Sequence, residues 1–173
     1  QGAGIRHSGS IVKKGTMALS KGTVIGPAQI SSLLSIGKTW ATVIRRPVVT
    51  VIATGDELIS PDRQLSPGKT YNCNAAAIAS LVSHYGGIPR IVGVARDNAA
   101  SILEKIQRGM DSDAIITSGG ISQGDYDLVR FILGKIGTIV FSRIKLGPGA
   151  GVVFGLIRRP PVRGRNAAVP VFA

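Results

Sequence analysis

The sequence predicts an α/β fold, in which a mostly parallel β-sheet has helices on both of its faces. From Pro47 onward, short β-branched runs alternate with longer segments whose apolar residues recur every three to four positions. The short runs are typical of buried parallel strands, and the longer segments are typical of amphipathic helices. This alternation favours a parallel sheet, because each crossover between parallel strands needs a connection about as long as a helix. The chain has 173 residues, 44% of them hydrophobic, which is enough for one such domain and a smaller attachment.

Residues 1–45 are expected to form a separate unit. The segment KKGTMALSKGTVIG predicts glycine-containing turns around a short strand. A helix should follow, because Pro27 suits a first helical turn and the next apolar residues share one face. Gly37 should end this helix, and TWATVIRRP predicts an extended connector to the larger unit.

Apolar runs predict the strands of the larger unit, residues 46–173. The first three are VVTVIA, IPRIVGVA and DAIIT, and the next three are TIVFSRIKL, VVFGLI and VPVFA. A GPG turn separates the fourth from the fifth, and RRPPVRGRN predicts a basic loop before the sixth. The last run resembles a strand cut off in mid-element, so we expect the chain to be a fragment of a longer protein.

Three helices are predicted between these strands. Asn74 should cap the first helix, and either Asp97 or Asn98 should cap the second. Each helix carries apolar residues three or four positions apart, which should form its buried face. These residues are Ile78, Leu81, Val82 and Tyr85 in the first helix, Ile102, Leu103 and Ile106 in the second, and Val129, Ile132, Leu133 and Ile136 in the third.

The charge of the chain limits the classes of partner. Its 21 Lys and Arg against 9 Asp and Glu give a net charge of +12, which attracts anions such as nucleic acids, acidic membranes and phosphorylated small molecules. Aromatic residues make up only 5% and are not interleaved with basic ones, so no nucleic-acid partner is expected. No apolar run approaches the roughly 20 residues of a membrane span, so no membrane partner is expected. Cys73 is the single cysteine, so no internal disulfide can form, which fits a cytoplasmic location.

The loop TSGGISQGDYD, Thr117 to Asp127, combines small backbone with hydroxyl groups directly after a predicted strand. Gly119 and Gly120 allow backbone N–H groups to approach a ligand without interference from a Cβ atom. The next helix points its N-terminus into the same space, which favours a phosphate or pyrophosphate. Further hydrogen-bond donors are the hydroxyls of Thr117, Ser118 and Ser122.

Carboxylates cluster after the same strands. The loop above carries Asp125 and Asp127, which a bare phosphate would repel unless a divalent cation lay between them. ATGDEL begins with Thr54 and Gly55 and then carries Asp56 and Glu57, and VARDN supplies Asp97. ATGDEL alone is explained as well by a polar turn, and Asp97 of VARDN alone by a helix cap. Three strand ends that each carry a carboxylate predict a joint site, since ligands of open α/β sheets bind at the carboxyl ends of strands.

Five segments together resemble a known family. TGDEL, GKTYNCN, ARDN, TSGGISQGDYD and PGAGVVFG are similar, in order and spacing, to the molybdenum insertase family, which includes bacterial MoeA and the gephyrin E domain. Residues 1–45 resemble the linking part of that family's first domain. Residues 46–173 resemble its molybdopterin-binding domain, truncated at the C-terminus. The resemblance implies a three-layer α/β/α sandwich shared with the MoaB- and MogA-like molybdopterin adenylyltransferases.

The resemblance also implies a reaction. Molybdate is inserted into the dithiolene of adenylylated molybdopterin and AMP is released with the help of Mg²⁺, in a full-length homodimer that an adenylyltransferase supplies with its substrate. Glu57, Asp97 and Asp127 fall where the family places functional acids, and they are the expected catalytic residues and Mg²⁺ ligands. The expected molybdopterin-binding residues are Thr54, Gly55, Asp56, Thr117, Ser118, Gly119, Gly120, Ser122 and Asp125.

The sequence departs from the family pattern at three places. A Gly-Glu-Asp of the first domain is here Gly9-Ser10-Ile11, the KPGKP turn is GPGAG without its lysines, and YDSN is YNCN. These changes affect molybdate handling more than pterin binding. Two alternatives therefore stay open: an adenylyltransferase-like enzyme, and a non-catalytic pterin-binding or scaffold module. Residues 1–45 favour the insertase over the adenylyltransferase, which does not need them.

Overall fold

The computed structural model describes residues 3–119, 128–146, 151–161 and 166–173. The chain divides into two compact units, Gln1–Arg45 and Arg46–Ala173. Within the described ranges, every helix is too short or too polar to cross a lipid bilayer.

Within its described residues, 3–45, the first unit contains one helix, α1 (Pro27–Ser35). Gln29 Oε1 accepts a hydrogen bond from Gly26 N at its start, and Gly37, with φ +76°, ends it as predicted. The short strand expected before α1 is absent from the described residues 3–45. Gly15 and Gly22 have φ values of +89° and +91°, so they bend this segment into turns. Without a partner strand, an extended run would also leave its backbone N–H and C=O groups unpaired.

The second unit carries the remaining elements. These are β1 (Val48–Thr54), β2 (Leu58–Ile59), β3 (Thr70–Tyr71), α2 (Asn74–His84), β4 (Ile88–Ala95), α3 (Ala99–Gly109), β5 (Ala114–Ser118), α4 (Leu128–Ile136), β6 (Thr138–Phe141), β7 (Phe154–Arg158) and β8 (Ala168–Phe172). Six strands form one sheet in the order β4-β1-β5-β8-β7-β6, and β2 pairs with β3 in a separate small sheet. Strands β4, β1, β5 and β8 are parallel, and β7 is antiparallel to both of its neighbours. The prediction of a mostly parallel sheet is confirmed.

Helices cover the two faces of this sheet, so the three-layer arrangement is also confirmed. On one face, α3 and α4 pack against the larger core cluster. Its side chains include Ile52, Ile102, Ile106, Ile115, Val129, Ile132, Leu133 and Val171. On the other face, α2 packs against β1 and β4, where Val51, Ala53 and Ala75 are buried together.

The buried face of α2 agrees only in part with the predicted one, because Ile78 packs against the smaller core cluster but Leu81 and Tyr85 do not. Ala75 and Ala79 are buried, whereas Leu81 and Tyr85 are 55% and 82% exposed. Small alanine side chains let the helix approach the sheet closely, which turns the larger residues at 81 and 85 outward. The predicted cap is also wrong: Asn74 is the first helical residue, and Asn72 Oδ1 instead accepts a hydrogen bond from Ala75 N at 3.3 Å. Asn72 lies three residues before Ala75, which is the spacing that an asparagine cap needs.

The other helices agree more closely with the sequence. Asn98 is the N-cap of α3, and its Oδ1 accepts a hydrogen bond from Ser101 N at 2.9 Å. The expected buried residues Val129, Ile132 and Leu133 of α4 are buried. The predicted strand TIVFSRIKL is shorter than expected and ends at Phe141, because its partner β7 begins opposite that residue.

A polar network joins the strands at the amino edge of the sheet. Arg90 of β4 donates from Nε to Thr50 Oγ1 and from its terminal nitrogens to Asp111 and to Ser112 Oγ. The hydrogen bond with the Asp111 carboxylate raises the pKa of Arg90, against the opposing effect of partial burial. Arg159 is 7% exposed and donates to three backbone carbonyls, those of residues 110, 112 and 166. This network ties the α3–β5 loop to β1 and β4.

Candidate ligand and metal site

Three neighbouring strands end at one edge of the sheet. In the order β4-β1-β5, Thr54 lies opposite Ala95 and Ala53 lies opposite Ser118. The chain continues from this edge after each of the three strands, and Gly55 N donates to Ala95 O at 3.1 Å where the loops after β1 and β4 diverge. The sheet order therefore brings the starts of the three predicted motifs together, although they are separated by up to about 60 positions in the sequence.

Asp56 and Asp97 are in direct contact across the first two loops. Asp56 N donates to Asp97 Oδ2 at 3.2 Å, and Asp97 N donates to Asp56 Oδ1 at 3.4 Å. Because Asn98 caps α3, the Asp97 carboxylate is not used as a helix cap. The alternative explanation of Asp97 as a cap is therefore wrong.

Two cations converge on the same loop. Lys69 Nζ donates to Asp56 O at 2.8 Å, and Arg96 donates to the same oxygen at 3.2 Å. Arg96 also lies 3.8 Å from Asp56 Oδ1 in an exposed ion pair. In the sequence, Lys69 belongs to the segment GKTYNCN and Arg96 to ARDN, but neither residue carries a local signal that it contacts Asp56.

Glu57 folds back over the start of its own loop. A Cβ atom at Gly55, whose φ is +146°, would lie 2.5 Å from Glu57 Oε1. Glycine at 55 therefore makes room for the Glu57 carboxylate. The backbone of Glu57 is anchored to the small sheet, since Thr70 N donates to Glu57 O at 2.9 Å. The carboxylates of Glu57, Asp56 and Asp97 thus belong to two loops at adjacent strand ends.

The segment that follows β5 starts in close contact with β1. A Cβ atom at Gly119, whose φ is +88°, would lie 2.6 Å from Thr54 O and 3.1 Å from Thr54 Oγ1. The Thr54 hydroxyl in turn donates to Ser118 O at 3.4 Å. Gly119 is therefore required both by its backbone conformation and by the close approach of the two strands.

Thr117 carries an unsatisfied polar group at the same edge. Its side chain is 5% exposed, and its Oγ1 has no hydrogen-bond partner within the described part of the chain. An unpaired buried hydroxyl is costly, and native proteins usually satisfy such groups. A ligand with an oxygen acceptor would satisfy this one.

Four predicted site residues, Gly120, Ser122, Asp125 and Asp127, lie outside the described residues. Among the residues that are described, no three His, Cys, Asp or Glu side chains come close enough to hold a metal ion. The expected Mg²⁺ ligands Glu57, Asp97 and Asp127 therefore stay a prediction. The two described members of that set offer carboxylate oxygens, the ligand type that Mg²⁺ prefers.

Comparison with known proteins gives this edge of the sheet its context. Residues 50–170 match the family model described as a probable molybdopterin binding domain. The chain is 33% identical over 159 residues to a molybdopterin molybdenumtransferase of Nostoc sp., a match that covers 91% of this chain and 36% of that protein. It is 34% identical over 169 residues to gephyrin of Dictyostelium discoideum, covering 90% of this chain and 24% of that one.

A solved structure is similar over the same range. The molybdopterin biosynthesis MoeA protein of Pyrococcus horikoshii is 30% identical, with a TM-score of 0.77 over 93% of this chain and 38% of that one. The chain thus spans about a quarter to two fifths of the length of these relatives. The family match covers most of the chain, including β1, β4, β5 and the loops that follow them. The chain therefore belongs to the molybdopterin-binding domain family.

Proposed function

We propose that this chain is the pterin-binding part of a molybdenum insertase, which acts in molybdenum cofactor biosynthesis. It binds molybdopterin in its adenylylated form, and within the complete protein it serves the insertion of molybdate with release of AMP. One observation carries the proposal: the buried hydroxyl of Thr117, which has no hydrogen-bond partner among the described residues, lies in the strand that leads into the glycine loop. That strand pairs with β1, and β1 leads into the loop of Glu57. This edge offers a donor for a phosphate oxygen and carboxylates for a cation.

The residues at the carboxyl ends of these strands have different roles in ligand binding. Backbone N–H groups of Gly119 and Gly120, with the hydroxyls of Thr117, Ser118 and Ser122, hold the pterin phosphate. Thr54 forms the adjoining wall, because it packs closely against Ser118 and Gly119. Gly55 follows it in the chain and leaves room for the Glu57 carboxylate. Asp125 lies in the same glycine loop, and we place it with the ligand-binding residues.

Glu57, Asp97 and Asp127 are the residues that would hold Mg²⁺. The ion would supply positive charge where negative charge develops as the phosphoanhydride of the adenylylated pterin breaks. The protein's own part is to keep three carboxylates in one place, which their mutual repulsion opposes unless a cation or a proton separates them. The bonds between the Asp56 and Asp97 loops provide that restraint for two of the strand ends.

The relatives support an insertase over an adenylyltransferase. The matches to the Nostoc molybdenumtransferase and to gephyrin extend over 91% and 90% of the chain, so they include much of the first unit. An adenylyltransferase does not need that unit. By the same family resemblance, the complete protein forms a homodimer, takes molybdate as its second substrate, receives its pterin from an adenylyltransferase and works in the cytoplasm.

A non-catalytic pterin-binding module is the second candidate. The observation that favours it is the GPGAG turn, where the insertase family carries two lysines and this chain has Gly147 and Ala150. Those positions lie outside the described residues. Such a module would bind the pterin but release no AMP.

The experiment measures AMP release from adenylylated molybdopterin against Mg²⁺ concentration in the complete protein. Asp127→Asn removes one negative charge with little change of shape, so it should raise the Mg²⁺ requirement much more than it weakens pterin binding. Glu104→Gln is the control, because Glu104 pairs with Arg108 on α3, outside the proposed site. Equal rates for wild type and Asp127→Asn at every Mg²⁺ concentration would remove Asp127 from the reaction. Pterin binding without AMP release in the wild type would establish the non-catalytic module instead.

A further inference from the structure

Asp56 forms hydrogen bonds with three described residues, Asp97, Lys69 and Arg96. Its N–H and its carboxylate form the reciprocal pair of hydrogen bonds with Asp97, and its carbonyl accepts from both Lys69 and Arg96. Its side chain is 63% exposed, so burial does not hold it in place. The bonds hold it instead, and they tie the loop after β1 to the loop after β4.

These bonds also fix the orientation of Asp97. Asp97 Oδ2 accepts from Asp56 N, while Oδ1 accepts no hydrogen bond from any described residue. One carboxylate oxygen of Asp97 is therefore committed to the loop, and the other is available. Residues that orient a metal ligand typically bond to one of its atoms and leave another atom for the metal.

We infer that Asp56 is a positioning residue, which orients the Asp97 carboxylate and is itself held by Lys69 and Arg96. This inference rests on the proposed function for the role of Asp97, and it assigns Asp56 a task other than contact with the pterin. Lys69 and Arg96 each contribute a positive charge that balances the negative charges of the two aspartates at short range. They reach the same carbonyl oxygen from different parts of the chain, since Lys69 directly precedes β3 and Arg96 directly follows β4.

The contrast between Asn and Ala at position 56 separates positioning from direct binding. In Asp56→Asn the side-chain oxygen still accepts from Asp97 N, and only the charge toward Arg96 is lost. In Asp56→Ala the acceptor itself is lost. A positioning residue is rescued by Asn, whereas a residue that binds the cation through its charge is not.

The measurement is the affinity of the chain for Mn²⁺, followed by electron paramagnetic resonance, since Mn²⁺ accepts the same oxygen ligands as Mg²⁺. Asp56→Ala should weaken Mn²⁺ binding by about 10-fold or more, the usual effect of losing a residue that orients a metal ligand. Asp56→Asn should weaken it by at most about fivefold, the size of one exposed ion pair. Equal losses in the two variants would overturn the inference.

A matched pair of arginine variants tests whether the contact of Arg96 with Asp56 contributes to metal binding. Arg96 and Arg108 are both 60% exposed and each pairs with one carboxylate, but Arg108 lies in the last turn of α3. Arg96→Gln should weaken Mn²⁺ binding, and Arg108→Gln should leave it unchanged. Equal effects would show that general charge, not the contact with Asp56, sets the affinity.

A second readout separates this inference from the proposed function. The exchange rate of the Asp97 amide proton, measured by NMR without metal, should rise in Asp56→Ala and stay near the wild-type rate in Asp56→Asn. If wild type binds no Mn²⁺ but the amide behaves as expected, the cation in the proposed function is wrong and the positioning role stands. If wild type binds Mn²⁺ but the amide rate is the same in all three proteins, the positioning role is wrong and the cation stands.

Discussion

Gly119 offers the sharpest test of how the glycine loop meets the sheet. In Gly119→Ala the new Cβ atom would lie 2.6 Å from Thr54 O, a backbone atom that cannot rotate away, at a φ of +88°. The left-handed conformation costs an alanine about 1–2 kcal/mol. Overpacking of a tight contact costs about 1–3 kcal/mol more, because β1 and β5 must shift apart. We therefore expect Gly119→Ala to lower the free energy of unfolding by about 2–5 kcal/mol.

Gly68→Ala is the matched control. Gly68 has a φ of +74°, but a Cβ atom there would meet nothing within 4 Å. It carries the conformational cost of about 1–2 kcal/mol without the clash. Urea unfolding should be followed by circular dichroism, because Trp40, the single tryptophan, lies in the first unit and its fluorescence would report on that unit. Equal destabilisation by the two variants would refute the close approach of Gly119 to Thr54.

The remaining predictions concern three polar side chains. Thr117→Val replaces a buried hydroxyl, unpaired among the described residues, with a methyl group of the same shape. It should therefore keep or raise the free energy of unfolding by up to about 1 kcal/mol, while calorimetry should show weaker molybdopterin binding. Asn98→Ala should destabilise the chain by about 0.5–2 kcal/mol through loss of the α3 cap, whereas Asp97→Ala should cost less in the same urea titration. Arg90→Lys should destabilise it by about 1–3 kcal/mol, since an ammonium group cannot bond to Asp111 and to the neighbouring hydroxyls together. Stability equal to wild type in Arg90→Lys would show that the amino-edge network contributes little.

The sequence predicted the main elements of the fold well because the main strands are short runs rich in apolar and β-branched residues. The run IPRIVGVA coincides with β4, Ile88–Ala95, and VVTVIA is one residue short of β1. Continuous β-branched runs of this kind have few other solutions in a chain of this length. The prediction of a short strand in the first unit was wrong because no segment of residues 3–45 provides a partner strand. A local sequence pattern cannot show whether a partner strand exists.

The buried face of α2 could not be predicted fully from the local sequence pattern either. Large apolar residues at 81 and 85 suggested the buried face, but the side chains that pack on the sheet include Ala75, Ala79 and Ile78. The two-residue strands β2 and β3 were missed for a related reason. They are too short to show alternation, and their pairing is fixed by the loop that joins them.

For the site, the sequence supplied the residue types and the sheet order supplied their proximity. The three motifs follow strands that are neighbours in the sheet. The local sequence pattern predicts these strands but does not give their order in the sheet. The choice between Asp97 and Asn98 as the cap of α3 depended on which side chain faces Ser101 N, and the structure places Asn98 there. The cationic support of Asp56 by Lys69 could not be foreseen, because their contact depends on the path of the loop between β2 and β3.

The central claim is that the carboxyl edge of β1, β4 and β5 binds molybdopterin. Titration calorimetry of the chain with molybdopterin, run on wild type, Thr117→Val and Gly68→Ala, tests it most directly. The account predicts binding to wild type and to Gly68→Ala, and clearly weaker binding to Thr117→Val with its fold intact by circular dichroism. Binding of equal strength to all three proteins, or no binding to wild type, would contradict it.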